Sequence, residues 1–481
     1  MIKVSNNTSR AKYRVEAPIS MLGTVYTDPE QFSSSVNSLV YLTFRNHFNP
    51  TSQSFTSDSG FGCMIRSGSM LVATALQSIY FGESFRLDAA YVSSCTRLKW
   101  LTSLFSEEMQ KNTRHLHPFS IQHLMELGAQ YGKRQGTWFA PGTIAKVYQD
   151  LLMSYLPMNQ AVSVYICEQG LNTIHIPDVI SLFSRREAPK KLPTTDKYVP
   201  PLPQCYNPTC MCHTFNGDHE TSHDAPKPVL ILVPTRLGMN RIQEEHLPFL
   251  ERLFGVPNFC GIAGGHPKSG HFFFAAQNGR LFYLDPHTTR ASVDVTMDDV
   301  EATFLDEKRA NDGEQGAAEE DARDDLSQNS QISQTRSESA DMSSSTVFSM
   351  SNADPVSAAN ILSFRPQSVM SQAGCTSGTV KLSNVHSVKL TNVDPSMCLG
   401  FLVRNEQELR KLKNDLDDLN GQLANHPSVL KNPYGMACFL HFDERTRDEH
   451  SFTGSYDDDD DLVSIGSEGD NQSAQEMTRF P

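Results

Sequence analysis

Long hydrophobic runs, an excess of basic charge and C-x2-C cysteine pairs are all missing from this chain of 481 residues. No stretch of about 18 consecutive apolar residues occurs, which leaves no candidate for a membrane-crossing helix. The opening residues, Met1-Ile-Lys-Val-Ser-Asn-Asn, hold no apolar core of the kind a secretory leader carries. Lys and Arg number 41 against 55 Asp and Glu, for a formal charge of −14. That balance argues against a nucleic-acid binder, whose footprint is a basic patch, and against charge-driven binding to anionic membranes. The ten cysteines are scattered along the chain rather than packed into a small scaffold. With no secretory signal they read as reduced thiols of a soluble, cytoplasmic protein. Apolar residues are scarce too, at 38% with a mean hydropathy of −0.39, so sizeable segments are expected to stay unpacked. There is no internal repeat.

What is present divides the chain. Residues 1–35 are polar and irregular and read as an N-terminal extension. Val36 to Phe48 carries Leu39, Tyr41, Leu42 and Phe44 and should pack beside the stretch that follows the Ser/Thr-rich loop at 51–59. Apolar spacing predicts a helix after Pro118 that ends near Gly132. A second follows Pro141, which suits a first helical turn, with Ile144, Val147, Tyr148, Leu151 and Leu152 on one face. Residues 161–167 and 229–233 read as strands, the latter ended by Pro234, and 240–254 as a helix that Pro248 interrupts. Strands from His271 and from Arg280 are joined by Gln277-Asn278-Gly279, the sequence of a tight hairpin. From 304 to 384 the composition turns acidic and Ser-rich, and disorder is expected there and again in the acidic tail, 444–481. Between them lie a strand-like run from Cys398 and a helix with Leu409, Leu412, Leu416 and Leu419. The reading is one α+β domain, 36–303 with 385–443. The loop at 185–227 holds Cys205, Cys210, Cys212 and His213, but their spacing lacks the paired C-x2-C knuckles of structural zinc sites, and no metal is expected.

One stretch organises the rest: Asp58-Ser-Gly-Phe-Gly-Cys-Met-Ile-Arg, where a glycine-flanked turn runs into a helix with Ile65, Val72, Leu76 and Ile79 near helical spacing. Cys63 falls at the handover. Helix-start N–H groups are unpaired and favour negative charge, so a thiol there loses its proton more readily and the thiolate is the nucleophile. A buried, inert cysteine remains an equal reading at this point. A thiolate nucleophile needs a histidine to manage its proton and a third group to orient the ring. Among sixteen histidines, His287 is the best placed: it leaves a strand end two residues after Asp285, and in extended backbone such neighbours point to the same side. Pro286 limits how far that geometry can wander. An ordinary turn stays open as the other reading.

These residues resemble a family. Thr56-Ser-Asp-Ser-Gly-Phe-Gly-Cys-Met-Ile-Arg-Ser-Gly68 is similar to the nucleophile motif of the autophagins, the cysteine peptidases that act on the ubiquitin-like modifiers of autophagy. Tyr283-Leu-Asp-Pro-His-Thr-Thr289 resembles their Asp/His motif, Gly264-Gly265-His266-Pro267 their regulatory loop, and Gly136-Thr-Trp138-Phe-Ala-Pro141 the tryptophan segment that stacks on that loop. The Cys, Asp, His order is also theirs.

The resemblance implies a papain-like core with a small added subdomain. It implies that Cys63 attacks the carbonyl of a glycine near the modifier's C-terminus, with His287 moving the proton and Asp285 orienting the ring. One outcome exposes that glycine on the precursor; the other cuts it from phosphatidylethanolamine, with transient contact with autophagosomal membranes through the substrate. A channel closed by Trp138 and the loop of Gly264, Gly265, His266 and Pro267 would admit only glycine. No cofactor is implied. The chain departs from the family at Phe61, where tryptophan is usual, and at Phe44, where a tyrosine hydroxyl is held to reach the oxyanion. Losing such a donor typically costs roughly 10²–10³ in rate. The other expectations from the residues are a weakly active modifier-binding protein and a deubiquitinase or acyl transferase of papain-like shape.

Overall fold

The computed structural model describes residues 18–83, 85–86, 96–107, 117–155, 158–167, 172–184, 226–292, 386–431 and 438–447. Structure begins earlier than the sequence suggests. β1 (Ile19–Met21) and β2 (Thr24–Tyr26) form a short hairpin, and α1 (Pro29–Asn37) follows. The Asp28 carboxylate caps that helix by accepting from the Glu30 N–H at 2.9 Å, and Pro29 takes its first turn. The irregular reading therefore fails for 18–35. Few apolar residues are needed to anchor so short a segment: Ile19, Met21, Phe32 and Val36 are buried, and β1 pairs with the strand that starts at His271.

β3 (Arg45–Asn46) leads to the long helix α2 (Cys63–Phe81), then α3 (Thr96–Ser103) and α4 (Ile121–Gly128). A 3-10 turn carries α4 on to Gly132, as the spacing predicts. α5 (Pro141–Ser154) starts at its proline and buries the expected face. α6 (Met158–Ala161), β4 (Ser163–Ile166), β5 (Thr173–His175) and α7 (Ile176–Ser184) come next. β6 (Val229–Arg236) runs straight through Pro234 rather than ending there. Its neighbour β4 pairs only as far as Leu232, and Pro234 turns its missing N–H toward that vacated side, where no ladder bond is lost.

α8 (Leu247–Arg252) is shorter than the predicted helix over 240–254, because Pro248 starts the α-helical turn instead of interrupting one. A 3-10 turn, Glu244–His246, precedes it. β7 (Phe259–Gly264), β8 (His271–Gln277) and β9 (Arg280–Leu284) follow, and Asn278 and Gly279 make the β8–β9 turn with φ of +51° and +68°. β10 (Arg290–Ala291) pairs with β3. The chain is described again from β11 (His386–Lys389), through β12 (Ser396–Val403), α9 (Glu406–Leu423), α10 (Pro427–Leu430) and β13 (His441–Asp443). The metal-candidate residues Cys205, Cys210, Cys212 and His213 lie outside the described residues, as do the expected disordered insertion, 304–384, and all of the tail beyond 447.

The main sheet runs β11-β9-β8-β7-β12-β6-β4, with β1 joined to β8 and β2 to β1. Its pairs are antiparallel except β4–β6. Both faces are covered, and β6 shows how: Leu230 and Leu232 enter a core shared with α2, α4 and α5, whereas Ile231 and Val233 enter the core beneath α7, α8 and α9. The α9 leucines expected on one face, Leu409, Leu412, Leu416 and Leu419, are all buried. Each such side chain contributes roughly 1.5–3 kcal/mol of transfer free energy. Among the described residues no helix is long and apolar enough to cross a membrane. This arrangement sets the N-terminus of α2 at the edge where β7, β8 and β9 meet their loops.

Candidate active site

Cys63 is the first residue of α2, and its side chain is buried. Gly62 caps the helix without a side chain, leaving the first-turn N–H groups as the local positive end of the helix dipole. The loop from β7 to β8 lies directly on this helix start. A Cβ placed on Gly270 would sit 3.0 Å from the Met64 nitrogen and 3.2 Å from the Cys63 carbonyl carbon, so backbone meets backbone there. The loop is tied to β12 where Gly265 N–H donates to the Ser396 carbonyl at 3.1 Å, and it is folded on itself where Ser269 N–H donates to the His266 carbonyl at 2.9 Å. His266 and Pro267 form its exposed tip, and Gly264 is the last residue of β7.

The Asp285-Pro286-His287 segment leaves β9 as expected and faces the same point. The His287 Nδ1–H donates to Asp285 Oδ1 at 2.6 Å, and the His287 backbone N–H reaches the same oxygen at 3.0 Å. The other ring nitrogen, Nε2, lies 3.0 Å from the Lys268 carbonyl, and Cys63 stands close enough to act on the ring's charge. Partial burial works against charge on His287, but the hydrogen bond to Asp285 and the nearness of Cys63 outweigh it and lift its pKa to about 10. Burial would raise Asp285, yet the two His287 hydrogen bonds, with help from His271, bring it down to about 2. The signs are opposite and complementary. Stabilisation from the raised His287 is complete below pH 6.5 and lost as pH climbs through about 10; that from Asp285 is present above pH 3.8 and lost as pH falls through about 2. The ion pair thus spans the neutral range.

Three neighbours were not legible in the sequence. His271, at the start of β8, places Nε2 4.0 Å from Asp285 Oδ1 and its ring 5.2 Å from that of His287. Burial lowers its pKa to about 4 despite the Asp285 charge, so it stays neutral beside the charged pair. The Tyr41 hydroxyl donates to the Asp285 carbonyl at 2.6 Å. Lys268 offers its carbonyl from a left-handed backbone, φ +70°. A histidine opening a strand and a backbone carbonyl carry no sequence signal of this kind. His271, Asp285 and His287 offer ligand atoms within 4.8 Å of one another, a spacing that could suit a metal ion. Asp285 Oδ1 already accepts two hydrogen bonds, however, and both ring nitrogens of His287 are engaged. The cluster is wired for holding and moving a proton.

Phe44 is buried, with its ring edge-on to His287 at 5.3 Å and its N–H bonded to the Pro286 carbonyl at 2.9 Å. It offers packing and no hydroxyl. Trp138 is half-buried against the core around α2, with an indole N–H that is buried and has no hydrogen-bond partner among the described residues. The remaining sequence-selected residues, Cys63, Asp285, His287 and the 264–267 loop, converge on one edge of the sheet. A cysteine at a helix start, an imidazole held by a carboxylate beside it, and helix-start N–H groups can together attack a carbonyl, hold the oxyanion and protonate a leaving amine.

Comparison with known proteins agrees with this chemistry. The chain is 28% identical over 281 residues to cysteine protease ATG4B of Xenopus laevis, covering 58% of this chain and 66% of that protein. It is 30% identical over 304 residues to the probable cysteine protease ATG4 of Phaeosphaeria nodorum, covering 58% and 55%. With cysteine protease ATG4 of Cryptococcus neoformans it shares 31% over 257 residues, 50% of this chain and 20% of the relative. The matched part thus spans less than two thirds of these relatives. The family model for the peptidase C54 catalytic domain matches residues 29–415, most of the chain. Its fold is that of the papain-like cysteine peptidases, in keeping with the mixed helix and sheet described above. The chain belongs to the peptidase C54 family, the autophagins, cysteine peptidases of autophagy.

Proposed function

We propose that this chain is a cysteine endopeptidase of the cytoplasm that cleaves after a glycine near the C-terminus of an autophagy ubiquitin-like modifier. It acts on the precursor and on the form joined to phosphatidylethanolamine. The observation that carries this reading is the hydrogen-bonded pair His287–Asp285 set beside Cys63 at the start of α2. As the thiolate partner of protonated His287, the Cys63 sulfur adds to the glycine carbonyl while the oxyanion turns toward the Cys63 N–H at the helix start. His287 gives its Nε2 proton to the departing amine, whether that belongs to the next residue or to the ethanolamine head group, and a thioester remains. Water, deprotonated by the now neutral His287, attacks the thioester, the C–S bond breaks, and the product acid leaves and loses its proton to solvent, with the Cys63 thiolate and protonated His287 restored. In the resting chain the Lys268 carbonyl occupies Nε2, so the loop eases back before the leaving amine can be reached. With the loop eased back from its close approach to α2 at Gly270, the gap is proposed to admit only a residue without a side chain, closed over by Trp138, Gly264, Gly265, His266 and Pro267.

Incubating the chain with a modifier precursor extended beyond its glycine, with a lipid-conjugated modifier and with a ubiquitin fusion tests the reading. Cleavage of the first two, and none by Cys63→Ala, is expected. A precursor that stays intact while the modifier binds would leave a binding protein instead, and cleavage of the ubiquitin fusion alone would leave a deubiquitinase. Phe44→Tyr is expected to raise turnover, by up to about 10², if its hydroxyl restores an oxyanion donor. An unchanged turnover number in the folded variant would mean that another group already fills that place.

A further inference from the structure

The turn that holds Cys63 and the loop that holds His287 come from distant parts of the chain, yet the reaction needs them at a fixed separation. We propose that Asp58 is the positioning residue that sets it, a buried carboxylate tying the nucleophile turn to β3 and to Phe44 just before it. The inference rests on Cys63 being the nucleophile.

Asp58 is wholly buried, and each of its polar atoms is used. On the nucleophile side, its carbonyl accepts from the Gly62 N–H at 2.9 Å, and Oδ2 accepts from Arg66 Nε at 2.7 Å. Arg66 lies one turn along α2 from Cys63, and its N–H bonds the Gly62 carbonyl at 2.9 Å. A Cβ on Gly62 would fall 2.5 Å from Asp58 Oδ2, so the residue before the nucleophile must be glycine for the carboxylate to enter. On the other side, Oδ1 accepts from the Arg45 backbone N–H at 2.7 Å, and the Asp58 N–H returns a bond to the Arg45 carbonyl at 3.2 Å. Arg45 is paired with Arg290 across β3 and β10. The adjacent Phe44 donates to the Pro286 carbonyl, accepts from the Arg290 N–H and packs on the His287 ring. Ser59 and Thr289 close the outer edge, with their hydroxyls 2.6 Å apart.

The route from nucleophile to base is therefore Gly62, Asp58, Arg45, Phe44, His287, without a flexible step. It is stiff because it is buried. Burial opposes the Arg66 charge, but Asp58 and Glu107, the latter 2.7 Å from Nη1, keep the guanidinium ionised. Moving Asp58 would leave that buried guanidinium with Glu107 alone and its Nε–H unpaired, which is unfavourable in a dry interior.

Asp58→Asn keeps an acceptor for Arg45 and loses the charge that holds Arg66. In the full-length chain it is expected to lower kcat about 10–100-fold with KM within about twofold, since a displacement of about 1 Å can cost about 10². Alkylation of Cys63 by iodoacetamide, followed by mass spectrometry of its peptide, should slow in parallel and shift its pH midpoint. Glu107→Gln removes the other anion from the same guanidinium without touching the 58–62 turn. It should lower Tm while leaving kcat and Cys63 alkylation near wild type. Equal losses in the two variants, or a folded Asp58→Asn with wild-type kcat and alkylation, overturn the proposal. If Asp58→Asn does not fold, Arg66→Lys reads the same contact: it keeps the buried charge but loses the Nε–H, and an unchanged alkylation profile would be decisive against the idea. Cleavage by Cys63→Ala would instead sink the reading of the nucleophile, whereas an inactive Cys63→Ala beside a fully active Asp58→Asn removes only the role of Asp58.

Discussion

Asp285→Asn is expected to lower kcat by roughly 10⁴ while KM changes little, the size of loss seen when an orienting carboxylate is neutralised. The amide still accepts the His287 backbone N–H, so the loop should keep its shape. What changes is the ring. Without the carboxylate, the hydrogen bond and charge that hold His287 near pH 10 are gone, and the amide can present a donor where Nδ1 now gives its proton. The ring then takes the wrong tautomer, with no proton at the nitrogen that faces the leaving group. The alkaline limb of the pH–rate profile should move down with it. Single-turnover cleavage of a modifier precursor between pH 6 and 11 measures both effects. A fall of less than tenfold, with the alkaline limb unmoved, would mean that Asp285 serves the fold and not the imidazole.

Gly270→Val is expected to reduce kcat/KM by about 10², as a loop misplaced by about 1 Å should. The first atom of the new side chain would meet the Met64 nitrogen at 3.0 Å, with the Cys63 carbonyl carbon and Met64 Cα at 3.2 Å, before the valine methyl groups are counted. Those atoms belong to the first turn of α2, whose position is set by the buried Asp58–Arg66 pair, so the helix cannot give way. The loop must move instead. It carries the Lys268 carbonyl away from His287 and opens the slot proposed to select glycine. Loss of cleavage with little change in Tm, measured alongside binding of the intact modifier, supports the loop as a wall of the site. A rate at or above wild type would show that the loop only obstructs it.

The elements most legible in the sequence were those whose signal is local. α5 begins at Pro141 and carries its apolar face at helical spacing, and the β8–β9 turn is set by Asn278 and Gly279. Both follow from backbone preference and side-chain period. The failures share a cause as well. By sequence Pro234 and Pro248 read as breaks, yet one sits at an unpaired strand side and the other in a first helical turn. A proline removes a donor, and only the surrounding partners decide whether that donor was needed. Residues 18–35 looked irregular because two strands of three residues have no period to show; they exist through β1 pairing with β8.

The same division runs through the site. Sequence alone placed Cys63 at a helix start and Asp285 two residues before His287, because cap chemistry and the two-residue period of extended chain act over short distances. It also supplied the family resemblance. Only the tertiary structure decided that these two segments meet, that neutral His271 and the Lys268 carbonyl close around the imidazole, and that Asp58 joins both halves. Those contacts depend on strand pairing and burial between parts of the chain far apart in sequence. No residue pattern records which buried charge will find which partner.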